Sequence, residues 1–163
     1  MASVCIIMGS KSDEEKVAPC AEILKKLGIG FFMTVSPAHR TPERTETIVR
    51  EQEASGCRVF ICAAGMAAHL AGAVAARTTL PVIGIPISGT AFGGMDSLLS
   101  IVQMPKGIPV ATVAIDGADN AAILAAQMIA LSDEALAARL AAFKADMAAE
   151  VTAKDEKVRA QFA

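Results

Sequence analysis

The sequence predicts an α/β fold with a parallel sheet, and two patterns along its 163 residues lead to that prediction. Short runs rich in aliphatic residues alternate with stretches of helical periodicity, which is typical of strands joined by crossover helices. The runs are continuously apolar, as expected of strands that are buried on both faces. Five such runs indicate a flavodoxin-like, doubly wound parallel sheet, followed by an extended C-terminal helix.

The five predicted strands follow one another along the chain between turn-forming residues. They are Val4–Met8 and residues 29–36 (IGFFMTVS), 57–65 (CRVFICAAG), 80–87 (LPVIGIPI) and 108–115 (IPVATVAI). The first run is short, no basic segment precedes it, and the polar stretch GSKSD ends it. We therefore expect a strand there and no signal peptide.

Helical periodicity fills the intervals between these strands. Residues 13–27 carry Val17, Ala21, Leu24 and Leu27 on one face, and Gly28 ends this helix. Further helices are expected over residues 41–55, 66–78, 120–131 and from 133 to about 157, and residues 89–102 are expected to contain a glycine-rich loop and a short helix. Because no linker or repeat is evident, we expect one domain over residues 1–163, with a core over about 3–131 and a helical extension over about 133–160.

Composition excludes several classes of function. The formal net charge is −2 with no long run of one sign, so neither a nucleic-acid nor a membrane surface is expected. No window approaches the ~20 apolar residues that a membrane helix needs. The hydrophobic fraction of 53% exceeds what one small core usually needs, which indicates burial between subunits.

The four cysteines are most consistent with reduced thiols in a cytoplasmic protein. Cys5, Cys57 and Cys62 lie in or beside strand-like runs, where free cysteine behaves as a small hydrophobic residue. Cys57 and Cys62 are five residues apart, so they face opposite sides of a strand. A metal-binding pair is therefore not expected.

Four polar, glycine-containing segments follow four of the predicted strands. They are residues 8–13 (MGSKSD), 36–42 (SPAHRTP), 63–72 (AAGMAAHLAG) and 86–97 (PISGTAFGGMDS). Ligands of open parallel sheets bind at the carboxyl ends of the strands, so we expect these segments to meet at one edge. Both histidines of the chain, His39 and His69, lie in them.

The side chains of these segments suit a phosphorylated ligand. Ser10 and Ser12 with nearby backbone N–H groups suit a phosphate, and Asp13 suits ribose hydroxyls. Arg40 is a natural phosphate partner, and His39 beside it can exchange a proton near neutral pH. A purely structural alternative is open for each feature: a helix cap for the serines, helix-dipole stabilisation for Asp13, and a surface turn for His39 and Arg40.

Other known phosphate and hydrolase motifs are missing. Neither GxxxxGK[ST] nor GxGxxG follows the first strand, and no GxSxG elbow indicates a serine hydrolase. His69 is expected in the first turns of the helix over residues 66–78, either near the ligand or packed within the helix layer. Together the four segments favour a small phosphorylated ligand and histidine acid–base chemistry without a metal.

At this point the sequence resembles the PurE family, and its class I members in particular, the N5-carboxyaminoimidazole ribonucleotide mutases of bacterial purine biosynthesis. The matching stretches run in family order across about residues 3–150: MGSKSD, AHRTP, AAHL, PVIGIP, DSLLSIVQMP, GIPVAT and NAAILAAQ. The resemblance implies a three-layer α/β subunit in a homo-octamer, with the C-terminal helix reaching a neighbour. It also implies an isomerase that moves a carboxylate from N5 to C4 of an aminoimidazole ribonucleotide, with no ATP, metal or organic cofactor.

The resemblance also implies roles for individual residues. His39 matches the proton-transfer histidine; the remaining matches are Arg40, Ser10 and Ser12 near the 5′-phosphate, Asp13 at the ribose, and Gly65, His69 and Leu70 around the base and its carboxylate. The family usually reads Ser-Ala-His-Arg, but Pro37 stands at that serine's position, so either Ser36 replaces it in binding substrate or one phosphate contact is lost. Met66 and Ala71 stand where a glycine and a proline are usual.

Two alternatives remain at this stage. Class II relatives carboxylate aminoimidazole ribonucleotide directly with CO2, but they tend to read AHKT and to lack AAHL, whereas this chain has AHRTP and AAHL. The second alternative is a non-catalytic flavodoxin-like nucleotide-binding module. It is disfavoured because a flavin usually stacks on aromatic rings and the chain has no Trp or Tyr.

Overall fold

A computed structural model describes residues 2–163 and contains one five-stranded sheet in that range. The strands are β1 (Val4–Met8), β2 (Phe31–Val35), β3 (Val59–Ala64), β4 (Val82–Pro86) and β5 (Ala111–Thr112). Every neighbouring pair is parallel, and the spatial order is β2-β1-β3-β4-β5. This is the flavodoxin-like order, so the predicted fold class is confirmed.

Helices connect the strands and flank the sheet. They are α1 (Glu14–Lys26), α2 (Pro42–Ala54), α3 (Leu70–Ala75), α4 (Met95–Val102), α5 (Ala118–Ala130) and α6 (Glu134–Phe162). A short 3₁₀ turn, Lys11–Asp13, leads into α1. None of the helices in this range combines the length and apolar character needed to cross a membrane.

The sheet is buried between two helical layers, as continuous aliphatic strands require. Successive residues of β1 alternate between the layers: Ile6 packs in a cluster with residues of α1 and α5, whereas Cys5 and Ile7 pack in a second cluster with residues of α2, α3 and α4. Buried apolar residues run from Val4 to Leu136, so the core includes the start of α6.

Two elements are shorter than the sequence pattern predicts. β5 pairs with β4 over two residues only, although the apolar run spans residues 108–115. β5 forms the edge of the sheet, and Pro109, two residues before it in the same run, lacks the N–H that a longer ladder needs. The helix expected over residues 66–78 is limited to α3, Leu70–Ala75. Met66 has a left-handed φ of 59° that a helix cannot accommodate, and the N–H groups of Ala68 and His69 donate to the Met66 and Ala67 carbonyls at 2.8 Å, which places tight turns before the helix.

The predicted C-terminal helix is present and extends to Phe162. It begins with Asp133, whose carboxylate accepts a hydrogen bond from the Leu136 N–H at 2.9 Å. Arg139 donates to the Leu27 carbonyl at 2.9 Å, which attaches the first turns of α6 to the end of α1. Beyond Phe143 the helix is exposed, so its second half projects from the subunit.

Candidate active site

A cavity of about 580 Å³ opens at the carboxyl edge of the sheet, next to the ends of β1, β3 and β4. The chain leaves β1 toward β2 on one side and reaches β3 on the other, so this is the topological switch point of the sheet. Of the nine site residues expected from the sequence, eight line the cavity: Ser10, Ser12, Asp13, His39, Arg40, Gly65, His69 and Leu70. Ser36 does not.

The turn after β1 is ordered by its own hydroxyl groups. Ser10, not Ser12, occupies the cap position: its Oγ accepts from the Ser12 N–H at 3.3 Å and from the Ser12 hydroxyl at 2.8 Å. Asp13 is only 8% exposed, and this burial raises its pKa, although hydrogen bonds at Ser10 and Ser12 and the charge of Lys16 act in the opposite direction. The turn therefore presents hydroxyls and one largely buried carboxyl group to the cavity.

The turn after β2 carries the histidine and arginine. The N–H groups of Arg40 and Thr41 both donate to the Pro37 carbonyl, at 3.0 and 2.8 Å, which closes a tight turn. Both His39 and Arg40 are exposed on it, so both are free to meet a ligand. Pro42 begins α2 as expected, but the Thr41 hydroxyl donates back to the Pro37 carbonyl and does not cap the helix.

The expectation that Ser36 contacts a ligand is not supported by this geometry. Ser36 is fully buried, and its hydroxyl shares a hydrogen bond with the Thr45 hydroxyl at 2.9 Å. It follows directly after β2 and is held there by its N–H, which donates to the Met8 carbonyl at 2.9 Å. Pro37, which does line the cavity, has no hydroxyl, so neither position presents a hydroxyl to the cavity.

His69 lies just before α3, at its cap position, and not within the first turns as expected. Its exposed side chain is at the cavity, while Leu70 beside it is buried. Met66, 70% exposed at the rim, adopts a backbone conformation that favours glycine, the residue usual there in the family pattern. The substitution therefore retains the loop conformation at the expense of backbone strain.

The wall formed by Ser88, Gly89 and Thr90 also lines the cavity, although sequence analysis named none of these residues individually. Lys16 and Asp116 support it: Lys16 Nζ donates to the Ser88 carbonyl at 2.9 Å, and the Ser88 N–H donates to Asp116 Oδ1 at 2.9 Å. Hydrogen bonds from Ser88 and the charge of Lys16 outweigh the effect of partial burial and lower the pKa of Asp116. The segment 86–97 was expected at this edge, but no spacing rule joins residues 16, 88 and 116.

None of the four cysteines is part of the cavity lining. All four are free and buried, and burial raises the pKa of Cys20 to about 12. Protonated thiols are poor nucleophiles and poor metal ligands. Among residues 2–163, no group of three or more His, Cys, Asp or Glu side chains is arranged to hold a metal ion.

Comparison with known proteins places these residues in context. A family model described as AIR carboxylase matches residues 3–150. The chain is 50% identical to an N5-carboxyaminoimidazole ribonucleotide mutase of Methanocaldococcus jannaschii over 98% of this chain and 99% of that protein. It is 55% identical to the protein of the same name from Brucella melitensis, over 84% and 86% of the two chains. The crystal structure of Treponema denticola PurE superposes with a TM-score of 0.86 at 32% identity, covering 94% and 96%.

Proposed function

The chain belongs to the AIR carboxylase family, the PurE family, and from that premise we propose that it converts N5-carboxyaminoimidazole ribonucleotide into 4-carboxyaminoimidazole ribonucleotide. The observation that carries the proposal is the cavity at the switch point, where His39 and Arg40 lie on one tight turn facing the Ser10–Asp13 turn and His69. Identities of 50% and 55% to N5-carboxyaminoimidazole ribonucleotide mutases support this activity. The proposed enzyme is an isomerase of purine biosynthesis.

Binding begins at the charged end of the nucleotide. Arg40 pairs with the 5′-phosphate through its fork of N–H donors, and the hydroxyls of Ser10 and Ser12 supply further donors. Asp13 accepts hydrogen bonds from the ribose hydroxyls. A cavity of about 580 Å³ is within the range typical for a small-molecule ligand, and the anchored nucleotide then extends its ring toward His39 and His69.

The chemistry needs one proton carrier and one trapped gas molecule. The N5–carboxylate bond breaks, CO2 is released, and N5 gains a proton from the His39 imidazolium. The enamine-like C4 then attacks the held CO2, and the C4 proton passes to the same imidazole. Holding CO2 beside C4 makes recarboxylation an intramolecular step, and the loop containing Gly65, His69 and Leu70 surrounds the base and its carboxylate. No ATP, metal ion or organic cofactor takes part.

We further propose a homo-octamer in the cytoplasm. Exposed apolar side chains support an assembly: they include Phe92, Met95, Leu99 and Val102 in and beside α4, and Met147, Val151, Val158 and Phe162 on α6. Each set recurs at helical spacing and forms one stripe, which is typical of a face covered by another subunit. Light scattering after size-exclusion chromatography should give a mass of about eight subunits. Free buried thiols support a reducing compartment.

The activity is tested by supplying each substrate separately without ATP. We expect 4-carboxyaminoimidazole ribonucleotide from the N5-carboxy compound, measured by chromatography, and equal rates with and without a metal chelator. Turnover of aminoimidazole ribonucleotide with CO2, but none of the N5-carboxy compound, would instead show a carboxylase. A coloured protein that carries a flavin and turns over neither substrate would favour a nucleotide-binding module.

A further inference from the structure

Lys16, Ser88 and Asp116 join three distant parts of the chain behind one wall of the cavity. Lys16 lies in α1, Ser88 follows β4, and Asp116 follows β5. Lys16 Nζ donates to the Ser88 carbonyl at 2.9 Å and to the Ser88 hydroxyl at 2.6 Å. The Ser88 N–H donates to Asp116 Oδ1 at 2.9 Å, and the Ser88 hydroxyl donates to Asp116 Oδ2. The N–H, carbonyl and hydroxyl of Ser88 are therefore all engaged.

Asp116 is held in an unfavourable conformation to make these contacts. Its φ of 56° lies in the left-handed region, and its N–H donates to the carbonyl of Pro86, the last residue of β4, at 2.8 Å. Such strain persists in proteins only when surrounding contacts determine the conformation. Lys16 Nζ lies 3.5 Å from Asp116 Oδ2, so the hydrogen bonds to Ser88 come from a pair of opposite charges and are stronger than neutral ones.

The contacts among Lys16, Ser88 and Asp116 form a network that supports the wall of Ser88, Gly89 and Thr90. This wall faces the end of the cavity where the proposed function places the aminoimidazole ring. Gly65, in the loop that surrounds the base in the proposed function, lies against the segment after β4: a methyl group on Gly65 would lie 3.4 Å from the Ile87 carbonyl oxygen and 3.9 Å from Thr90 Cγ2. The segment therefore closes directly against Gly65. A shift of Ser88 would move Thr90 away from Gly65 and open the cavity beside the base.

We propose that Lys16 and Asp116 are positioning residues that keep the wall of Ser88, Gly89 and Thr90 closed, so that CO2 released from the substrate stays beside C4. This inference rests on the proposed function. The side chains of Lys16 and Asp116 are about one third exposed, at 33% and 34%, so their ion pair contributes little to folding stability. Loss of the network should therefore affect the fate of CO2 more than the fold.

The test compares Lys16→Met and Asp116→Asn with the unaltered enzyme, using N5-carboxyaminoimidazole ribonucleotide as substrate. Both the rearranged product and decarboxylated aminoimidazole ribonucleotide are quantified, after subtraction of the spontaneous decarboxylation measured without enzyme. We expect the rearranged product to form about tenfold more slowly and the decarboxylated fraction to rise about fivefold, with KM within about threefold, since misplacement affects the reacting geometry first. Lys16→Arg keeps the charge and should recover at least half of the lost product.

Lys25→Met is the matched control, because Lys25 is an exposed lysine on the same helix that is not part of the cavity lining. It should behave as the unaltered enzyme does. The inference would be overturned by an unchanged decarboxylated fraction in both Lys16→Met and Asp116→Asn, or by an equal rise in Lys25→Met. It would also be overturned if circular dichroism showed that neither Lys16→Met nor Asp116→Asn folds. An unaltered enzyme that forms no rearranged product would contradict the proposed function as well, whereas an active enzyme with unaffected variants contradicts this inference alone.

Discussion

The imidazole of His69 lies over the backbone of Gly72: a Cβ on residue 72 would lie 2.3 Å from His69 Cε1 and 2.7 Å from Nε2. These distances are shorter than any real carbon contact, so the ring occupies this place only because residue 72 has no side chain. Gly72 is buried within α3, three residues after His69 and therefore one helical turn away. The glycine thus determines where the imidazole meets the cavity.

Gly72→Ala should move the His69 ring and slow the reaction about fivefold or more. Alanine favours a helix by about 1 kcal/mol over glycine, and the exposed ring can rotate away, so the melting temperature should not fall. Turnover kinetics and thermal unfolding measure both effects. Adding Gly72→Ala to His69→Ala should cause no further loss. An additional loss in the double variant would show that the glycine acts through another group.

His39→Asn should reduce kcat by about 10² or more while nucleotide binding and folding stay nearly intact. Asparagine keeps a polar side chain on the exposed turn but cannot carry a proton between N5 and C4. Steady-state kinetics and product binding by calorimetry separate the two effects. A variant with near-normal kcat would remove His39 from the chemistry.

Arg40→Ala should mainly weaken substrate binding, with KM raised about tenfold or more and kcat changed much less. The reason is that a lost charge-assisted pair with the phosphate affects the bound substrate and the transition state equally. Arg44→Ala is the matched control, since Arg44 is exposed on α2 and is not part of the cavity lining. Equal KM values for the two variants would place the phosphate elsewhere.

Ser36→Ala should lower the free energy of unfolding by about 1 kcal/mol and leave KM unchanged. The Ser36 hydroxyl is buried and bonded to Thr45, so its loss removes an internal hydrogen bond and no ligand contact. Urea unfolding measures the free energy of unfolding, and steady-state kinetics measures KM. A KM raised tenfold at unchanged stability would restore Ser36 as a substrate-binding residue.

Asp13→Asn should change how stability depends on pH. Burial raises the pKa of Asp13 in the folded protein above the ~3.9 of an unfolded aspartate. The protonated carboxyl group therefore favours folding at low pH, and this contribution is lost as the pH rises through the folded pKa. From about pH 4 upward, the unaltered protein should lose stability relative to Asp13→Asn in urea unfolding. A difference that stays constant with pH, or an equal trend in the exposed Glu15→Gln, would contradict this account.

The fold was predictable wherever a residue pattern reflects its own burial. β1 to β4 and most helices appear near their expected positions, because aliphatic runs and helical faces are set by the residues within them. β5 and α3 are shorter than expected. β5 is limited to the two residues that pair at the edge of the sheet, and α3 begins only after the left-handed backbone at Met66. Local hydropathy shows neither effect.

The candidate site was predictable where its residues follow strands closely in sequence. Ser10, Asp13, His39 and Arg40 lie in turns directly after strands, so sheet topology alone brings them to one edge. Ser36 lies outside the cavity lining, because one position along an extended chain reverses the direction of a side chain. Here that reversal directs the Ser36 hydroxyl inward to Thr45.

The sequence by itself predicted the parallel sheet, the edge at which its polar segments meet and the residues available there, since strands, helices and the turns after strands each leave a pattern among neighbouring residues of the chain. Only the tertiary structure decided that Lys16 and Asp116 hold Ser88, and that Gly72 makes room for His69. The Lys16 and Asp116 contacts join segments 72 and 28 residues from Ser88, and the Gly72 contact depends on ring placement. The physical reason is that the long-range contacts depend on how complete elements pack, and the local contact depends on the rotamer of the ring, and neither is recorded in a pattern of residue types.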